Sequence, residues 1–175
     1  MLGSIKRRLK DAATIKQVLL SAEASARAEG VAEPGSEHLV MAALALPDGT
    51  ADRAFVRVGV RPADFRPAVA RQYADALTRV GLGDGGNLLT WQEPPARLPR
   101  TRLFKSKPSA QWVIRRLVHA RPSGSSRPLL GADFVLAALS SDVGTFARTL
   151  AVLEVEPNRL AEACRREIFD FEGRR

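Results

Sequence analysis

A chain of 175 residues, 45% of them hydrophobic, can bury a sizeable core, which excludes a wholly disordered protein. Its single cysteine, Cys164, excludes an intrachain disulfide and is expected to lie buried as a small apolar residue. With only two histidines beside it, we predict no metal site and no cofactor. No segment approaches the roughly 20 apolar residues that a membrane span needs, and no apolar run marks a signal peptide, so a cytoplasmic location is expected.

Positive charge is concentrated in the middle of the chain. The formal net charge is +8, and no acidic residue occurs from Pro94 to Ala132. That span carries nine basic residues, which are Arg97, Arg100, Arg102, Lys105, Lys107, Arg115, Arg116, Arg121 and Arg127. Such a field attracts polyanions or acidic protein surfaces. The alternative interpretation is compositional, because arginine and alanine are abundant along the whole chain.

Apolar residues at helical spacing predict the elements of the first half. We expect a short basic turn at 4–10 and helices at 12–30, about 36–46, about 50–58 and from Pro62 onward. Ser36 is expected to cap the second of these helices, and Glu37 suits the positive end of its dipole. Pro67 predicts that the last of them starts late or bends, because proline removes a backbone hydrogen bond.

Residues 81–107 are rich in glycine and proline, which predicts a linker or an exposed loop. Four further helices are expected at about 108–120, 132–140, 144–153 and 157–168. No run of alternating residues is long enough to predict a sheet. The predicted fold class is therefore all-α.

The second half of the chain repeats the first. Residues 38–44 return as residues 133–139, an offset of 95, and the same offset relates flanking positions such as Val60 and Val155. Self-similarity of this kind predicts two copies of one helical unit. We expect a four-helix repeat at 1–80, the linker at 81–107 and a second four-helix repeat at 108–175, packed as one pseudo-twofold domain. The residues expected in its core are Leu39, Val40, Leu44 and Phe55, with their counterparts Phe134, Val135, Leu139 and Leu150.

The duplicated unit also resembles a known family. Gly35-Ser36-Glu37-His38 stands before an apolar helix, a small-residue turn follows, and Val60 and Pro62 come after Gly59. This arrangement, over about residues 4–168, resembles the Clp N-terminal domain, the double-repeat module that binds substrates and adaptors at the front of ClpA- and ClpC-type unfoldases. The resemblance implies an all-α protein-binding domain.

The sequence contains no convincing catalytic or nucleotide-binding motif, so we predict that the protein is not an enzyme. The chain has no G-x-x-x-x-G-K-[ST] loop for an ATPase, and Gly81 to Gly86, which match G-x-G-x-x-G, lack the strand before and the helix after that a dinucleotide site needs. Ser36, Glu37 and His38 are consecutive at a helix start, so we expect their side chains to diverge by about 100° rather than to converge as a triad. The plainer interpretation is a helix cap beside a partly buried histidine.

The resemblance gives Glu37 a possible role in ligand binding. In ClpC-type modules that bind phosphoarginine tags, a glutamate at this position contacts the guanidinium of the tag. A carboxylate and a planar guanidinium can form a bidentate pair with two parallel hydrogen bonds. Ser36, Glu37, Lys6, Arg7 and Arg8 are the resulting candidate ligand residues. The alternative is that Glu37 only interacts with the helix dipole or with a neighbouring arginine.

The second repeat departs from this motif, since Gly131 and Ala132 stand where Ser36 and Glu37 stand in the first. Asp133, one residue later, is a second and weaker candidate for ligand binding.

The resemblance also implies a groove for cyclic-peptide antibiotics. Its candidate residues here are Leu2, Phe104 and Gln111.

Three functions follow as hypotheses. The first is a stand-alone Clp-type binding module that serves as an adaptor, recognises tagged substrates or competes with a Clp unfoldase. The second is a helical protein that binds nucleic acid or another polyanion through the basic span, and the third is a protein that sequesters a cyclic-peptide antibiotic.

Overall fold

The computed structural model describes residues 2–79, 105–121 and 127–173, with the backbone alone for residues 2–8. These residues form eight α-helices and one 3-10 helix and contain no strand, so the all-α prediction is confirmed. The α-helices are α1 (Leu2–Ala28), α2 (Ser36–Leu44), α3 (Thr50–Arg57), α4 (Phe65–Arg79), α5 (Pro108–Ala120), α6 (Gly131–Ala138), α7 (Thr145–Val152) and α8 (Pro157–Gly173), and the 3-10 helix is Pro62–Asp64. None of the described helices combines the length and the apolar character needed to cross a bilayer.

The first helix is longer than predicted. The turn expected at 4–10 and the helix expected at 12–30 are one continuous helix, α1. Within α1 the chain has no proline, and its one glycine, Gly3, lies at the start, so nothing interrupts the backbone hydrogen bonds. The chain leaves the helix where Gly30 adopts a left-handed φ of 69°.

The fourth helix starts late, as Pro67 predicted. Pro62–Asp64 form a 3-10 turn, and α4 begins only at Phe65. Pro67 is therefore in the first turn of α4, where a backbone N–H has no partner within the helix. The proline removes no helical hydrogen bond at this place.

Helices of the two halves begin at matching positions. α3 and α7 start at Thr50 and Thr145, and the residues that precede α2 and α6 are Gly35 and Leu130. Each pair keeps the offset of 95 residues that the sequence shows. The duplication is thus present in the helix boundaries as well as in the hydrophobic pattern.

The turns that follow α3 and α7 close with the same hydrogen bond. Val60 N–H donates to Phe55 O at 3.1 Å, and Val155 N–H donates to Leu150 O at 2.9 Å. Such bonds satisfy carbonyl groups that the end of a helix leaves unpaired. The two halves therefore share their turn geometry too.

Burial agrees with the predicted core at six of eight positions. The buried residues are Leu39, Val40, Phe55, Phe134, Val135 and Leu150. The prediction was wrong for Leu44 and Leu139, which are only half-buried. Each of these two leucines lies at the end of its helix, where one side packs against the core and the other lines an open cleft.

Helices of each half pack against helices of the other half. α3 lies on α8, α4 lies on α7, and α2 meets α6 near the centre. Three aromatic rings lie in contact where the two halves pack together. The ring centroid of Phe65 is 5.5 Å from that of Phe55 and 5.9 Å from that of Phe146. The predicted division at 81–107 stays a prediction, because residues 81–104 lie outside the described residues.

An ion-pair cluster fastens α3 to α8. The Glu167 carboxylate is 1% exposed and accepts hydrogen bonds from Arg53 Nε at 2.6 Å and Arg57 Nε at 2.5 Å. Arg57 also pairs with Asp170 at 2.8 Å. Burial alone would raise the pKa of Glu167, but the hydrogen bonds and charges of the two arginines bring it below the ordinary value of 4.5.

A second polar contact joins the halves at the start of α6. The Asp48 carboxylate, in the turn after α2, accepts the Gly131 N–H at 3.1 Å, and Thr50 Oγ1 accepts the Ala132 N–H at 2.9 Å. Asp48 also accepts the Thr50 N–H at 2.9 Å, at the start of α3. One carboxylate of the first half therefore satisfies N–H groups at the starts of two helices, one in each half.

This contact explains the glycine at 131. A Cβ at that position would lie 2.7 Å from Ala43 O and 3.0 Å from the Ala51 Cβ, both in the first half. Backbone and backbone-attached atoms do not yield easily, so only glycine lets α6 approach α2 and α3 so closely.

We expect Gly131→Ala to lower the free energy of unfolding by about 1–3 kcal/mol, since the added methyl group overpacks the contact between the halves. Chemical denaturation measures the change. Gly173→Ala is the matched control, because nothing lies within 4 Å of a Cβ there. Equal effects of the two substitutions would contradict the close approach at Gly131.

We expect Glu167→Gln to cost about 1.5–3 kcal/mol at neutral pH, the scale of a hydrogen bond to a charged group. Because the pKa of Glu167 is lower in the fold than in the unfolded chain, this stabilisation is present above about pH 4.5 and is lost as the pH falls further. Urea denaturation of both proteins across this pH range tests the sign. Glu162→Gln, at an exposed position of α8, should change little at any pH. A wild-type advantage over Glu167→Gln that grows on acidification would contradict the prediction.

Candidate functional site

The start of α2 holds the residues that the sequence singled out. Gly35 precedes the helix, and its N–H donates to His38 Nδ1 at 3.1 Å. The prediction that Ser36 caps α2 was wrong, because Ser36 is the first helical residue and His38 supplies the capping atom. Ser36 contributes its own N–H, which donates to Ser109 Oγ at the start of α5, 3.2 Å away.

Glu37 lies inside the protein beneath the side chains of Tyr73, on α4, and Lys107, just before α5. Its carboxylate is 1% exposed, and Oε1 accepts a hydrogen bond from the Tyr73 hydroxyl at 2.9 Å. Lys107 Nζ is 3.7 Å from the same oxygen and 3.3 Å from the Tyr73 hydroxyl. Oε2 is buried and has no hydrogen-bond partner. The result is a covered carboxylate with one satisfied and one unsatisfied oxygen.

Gly35 makes room for this carboxylate. A Cβ at Gly35 would lie 2.4 Å from Glu37 Oε2 and 2.5 Å from Oε1. The glutamate therefore folds back over the residue before the helix, which only glycine permits. The Gly-Ser-Glu order was the one sequence signal of this arrangement.

Glu37 is ionised at neutral pH. Burial alone would raise the pKa of its carboxyl group, but the neighbouring His38 ring, the Glu37 backbone N–H and the Tyr73 hydroxyl together hold it below the ordinary value of 4.5. A buried charge of this kind favours a cationic or hydrogen-bond-donating partner.

His38 is fully buried, and other groups contact both of its ring nitrogens. Nε2 lies 3.1 Å from Glu29 Oε2, while Nδ1 lies 3.2 Å from Glu37 Oε1 and accepts from Gly35. The expectation that Glu37 and His38 diverge was wrong, because the Glu37 side chain folds back toward the helix start. Neither nitrogen contacts the Ser36 hydroxyl, so the three residues do not have the geometry of a triad.

Asp133 plays the same capping role in the second half. Leu130 N–H donates to Asp133 Oδ2 at 2.9 Å, as Gly35 N–H does to His38. Arg127 binds both carboxylate oxygens of Asp133 at 2.6 and 2.7 Å. Asp133 is thus the counterpart of His38 and already has a cationic partner within the chain.

The start of α6 is closed to outside ligands in the same way. Asp48 and Thr50 accept the N–H groups of Gly131 and Ala132. A helix start whose donors are satisfied from within the chain has none left for an anion. The two halves therefore differ at the position that the family resemblance marked.

Several candidate residues fall where the structure gives no side-chain contact. Leu2, Lys6, Arg7 and Arg8 lie on the first turns of α1, but their side chains are outside the described residues. Phe104 is likewise outside the described residues. The remaining groove candidate is exposed on α5, where Gln111 Nε2 donates to Ser106 O at 2.8 Å.

The basic span is partly neutralised within the protein. Arg121 pairs with Asp11 at 3.0 Å, and Arg127 pairs with Asp133 and with Glu172 at 3.1 Å. Arg115 and Arg116 are exposed on α5, and Arg97, Arg100 and Arg102 lie outside the described residues. The described part of the span is therefore not a continuous row of free cations.

Cys164 is fully buried, as the sequence predicted. Burial, with a smaller effect of the Asp133 charge, raises the pKa of its thiol to about 12. A neutral buried thiol is a poor nucleophile. No group of three or more metal-binding side chains occurs among the residues that the structure describes.

Part of the chain matches a known protein family. Residues 12–89 match the model of the Clp repeat (R) N-terminal domain. The matched range includes all of α2, α3 and α4, and with them Ser36, Glu37 and His38. Among curated proteins, no sequence matches the chain.

Proposed function

We propose that this chain, whose residues 12–89 match the model of the Clp repeat N-terminal domain, is a Clp-type protein-interaction module that recognises a tagged protein at the start of α2. Domains of this family are protein-interaction modules of Clp systems. The proposed ligand group is a guanidinium that carries a phosphate, as on a phosphorylated arginine, and the proposed role is that of an adaptor for a Clp unfoldase.

The observation that carries this proposal is the state of Glu37. Its carboxylate is ionised, buried and left with Oε2 unpaired. An unsatisfied buried oxygen costs free energy, and that cost is larger when the group is charged. A planar guanidinium that donates to both oxygens removes this cost. Binding of a guanidinium would therefore explain why a buried glutamate occupies position 37.

Lys107 supplies the second half of the recognition. Its side chain is 37% exposed and covers Glu37, and its ammonium group contacts the Tyr73 hydroxyl at 3.3 Å and Glu37 Oε1 at 3.7 Å. In the proposed complex the ligand guanidinium replaces this ammonium on Glu37. The displaced ammonium then pairs with the ligand phosphate, so no charge is left without a partner.

Only the first half offers such a site. Ala132 stands in place of Glu37, and Asp48 and Thr50 already occupy the N–H groups at the start of α6. We therefore propose one ligand site for each chain, and no catalytic role for it.

Calorimetry with phosphoarginine tests the proposal. The wild type should bind, and Glu37→Gln should weaken binding by about 1.5–3 kcal/mol, the scale of a charge-assisted hydrogen bond. Lys107→Ala should weaken binding of phosphoarginine more than binding of unmodified arginine, because the ammonium contacts only the phosphate.

The matched control is Asp133→Asn at the start of α6. It removes one carboxylate from the equivalent helix and should leave phosphoarginine binding nearly unchanged. Circular dichroism establishes that each variant is folded. No binding by the wild type at millimolar ligand, or equal losses in Glu37→Gln and Asp133→Asn, would overturn the proposal.

A further inference from the structure

A second cleft lies in the other half of the chain, away from Glu37. α5, α6 and α8 enclose about 530 Å³ between them, a volume in the range of ligand-binding clefts. Leu117, Leu129, Leu136 and Ile168 are among the apolar side chains that line it. The cleft can therefore take an apolar side chain of a ligand out of water.

Arginines surround this apolar surface. Arg116, Arg121, Arg127 and Arg165 line the cleft, and among the described residues Asp133 is the only acidic side chain in its lining. Asp133 is engaged by Arg127, so it does not offset the charge of the other arginines. The cleft has the charge of an anion-binding site with an apolar floor.

Three of these arginines have guanidinium N–H groups that no described residue accepts. Arg116 and Arg165 are exposed, and no described residue forms an ion pair with either. Arg121 pairs with Asp11 through Nη2, but its Nη1 is buried and has no hydrogen-bond partner. A buried guanidinium nitrogen without an acceptor is costly, so a ligand oxygen in the cleft that accepts from it would be stabilised.

The duplication shows that the fold does not require these charges. A cleft of about 440 Å³ occurs in the first half, where Leu44 and Pro62 match Leu139 and Pro157 at the offset of 95 residues. At the same offset, the counterparts of Arg116, Arg121, Arg127 and Arg165 are Ser21, Ala26, Ala32 and Ala70. Arg66 lines the first cleft but pairs with Glu29 at 2.7 Å, and the first half has no cation at the positions of these four arginines.

We propose that the cleft between α5, α6 and α8 binds an acidic peptide segment that inserts an apolar side chain. Carboxylates of the peptide pair with Arg116 and Arg165, and a carboxylate or backbone carbonyl accepts from Arg121 Nη1. A nucleic-acid backbone uses the charge but gains little from an apolar floor, so the combination favours a peptide. This inference rests on the proposed function only in that the partner is a protein.

The structure provides a reporter for the test. Trp112 Nε1 donates to Ser140 Oγ at 3.1 Å, and Ser140 lines the cleft. In a Trp91→Phe background, Trp112 is the only tryptophan of the chain. Its emission should shift when a peptide fills the cleft.

The probe is a short fluorescein-labelled peptide in which aspartates and glutamates flank a central leucine and phenylalanine. Fluorescence anisotropy should show saturable binding, and the unlabelled peptide should shift the Trp112 emission. Arg116→Glu and Arg165→Glu should each weaken binding at least about tenfold. Both positions are exposed, so the fold should tolerate either change.

The matched control is Arg71→Glu, which makes the same change of charge at an exposed position of α4 in the first half. It should alter binding by less than about twofold. A peptide with serines in place of leucine and phenylalanine should bind at least about tenfold more weakly, because it leaves the apolar floor in water.

Four results would overturn the inference. They are no saturable binding of the acidic peptide, equal weakening by Arg71→Glu and Arg165→Glu, equal binding of the serine peptide, and heparin binding that Arg165→Glu weakens as much as it weakens peptide binding. The last two would indicate plain polyanion attraction. Phosphoarginine binding should be the same in Arg165→Glu and in the wild type, so failure at this cleft and failure at Glu37 are separate outcomes.

Discussion

The Asp48 carboxylate is the contact on which the arrangement of the two halves depends. It accepts N–H groups at the start of α3 in its own half and at the start of α6 in the other. Gly131 can then pack directly on the first half, with no room for a Cβ. The packing of α3 on α8 and of α4 on α7 surrounds this contact and buries the aromatic rings that the two halves share.

The same contact makes the two repeats unequal. At the start of α6 the donors are satisfied from within the chain, whereas at the start of α2 a charged glutamate remains with one oxygen unpaired. The clefts differ in charge as well, since four arginines line the one in the second half, whereas Arg66, which lines the one in the first half, pairs with Glu29. Two copies of one helical unit thus present a buried carboxylate on one side and a cationic cleft on the other. A protein ligand that carries a modified arginine and an acidic segment would suit both.

Local patterns in the sequence predicted most of the helices and the duplication, because apolar spacing, glycine and proline act over a few residues. The candidate site depended on contacts that no local pattern reveals. Glu37 is covered by Tyr73 and Lys107, which lie 36 and 70 positions further along the chain, so its burial could not be read from its neighbours. The role of Asp48 could not be predicted from the sequence either, since its partner Gly131 is 83 positions away.

Hydrogen exchange combined with denaturation of an Asp48→Ala variant tests the central claim most directly. Loss of the carboxylate should lower the free energy of unfolding by about 3 kcal/mol, because it leaves buried N–H groups without an acceptor. It should also speed exchange at the amides of Gly131 and Ala132, which the structure places under this contact. Asp142→Ala, at an exposed position before α7, should do neither. Unchanged protection of the two amides, with a loss of stability no larger than in Asp142→Ala, would contradict the account.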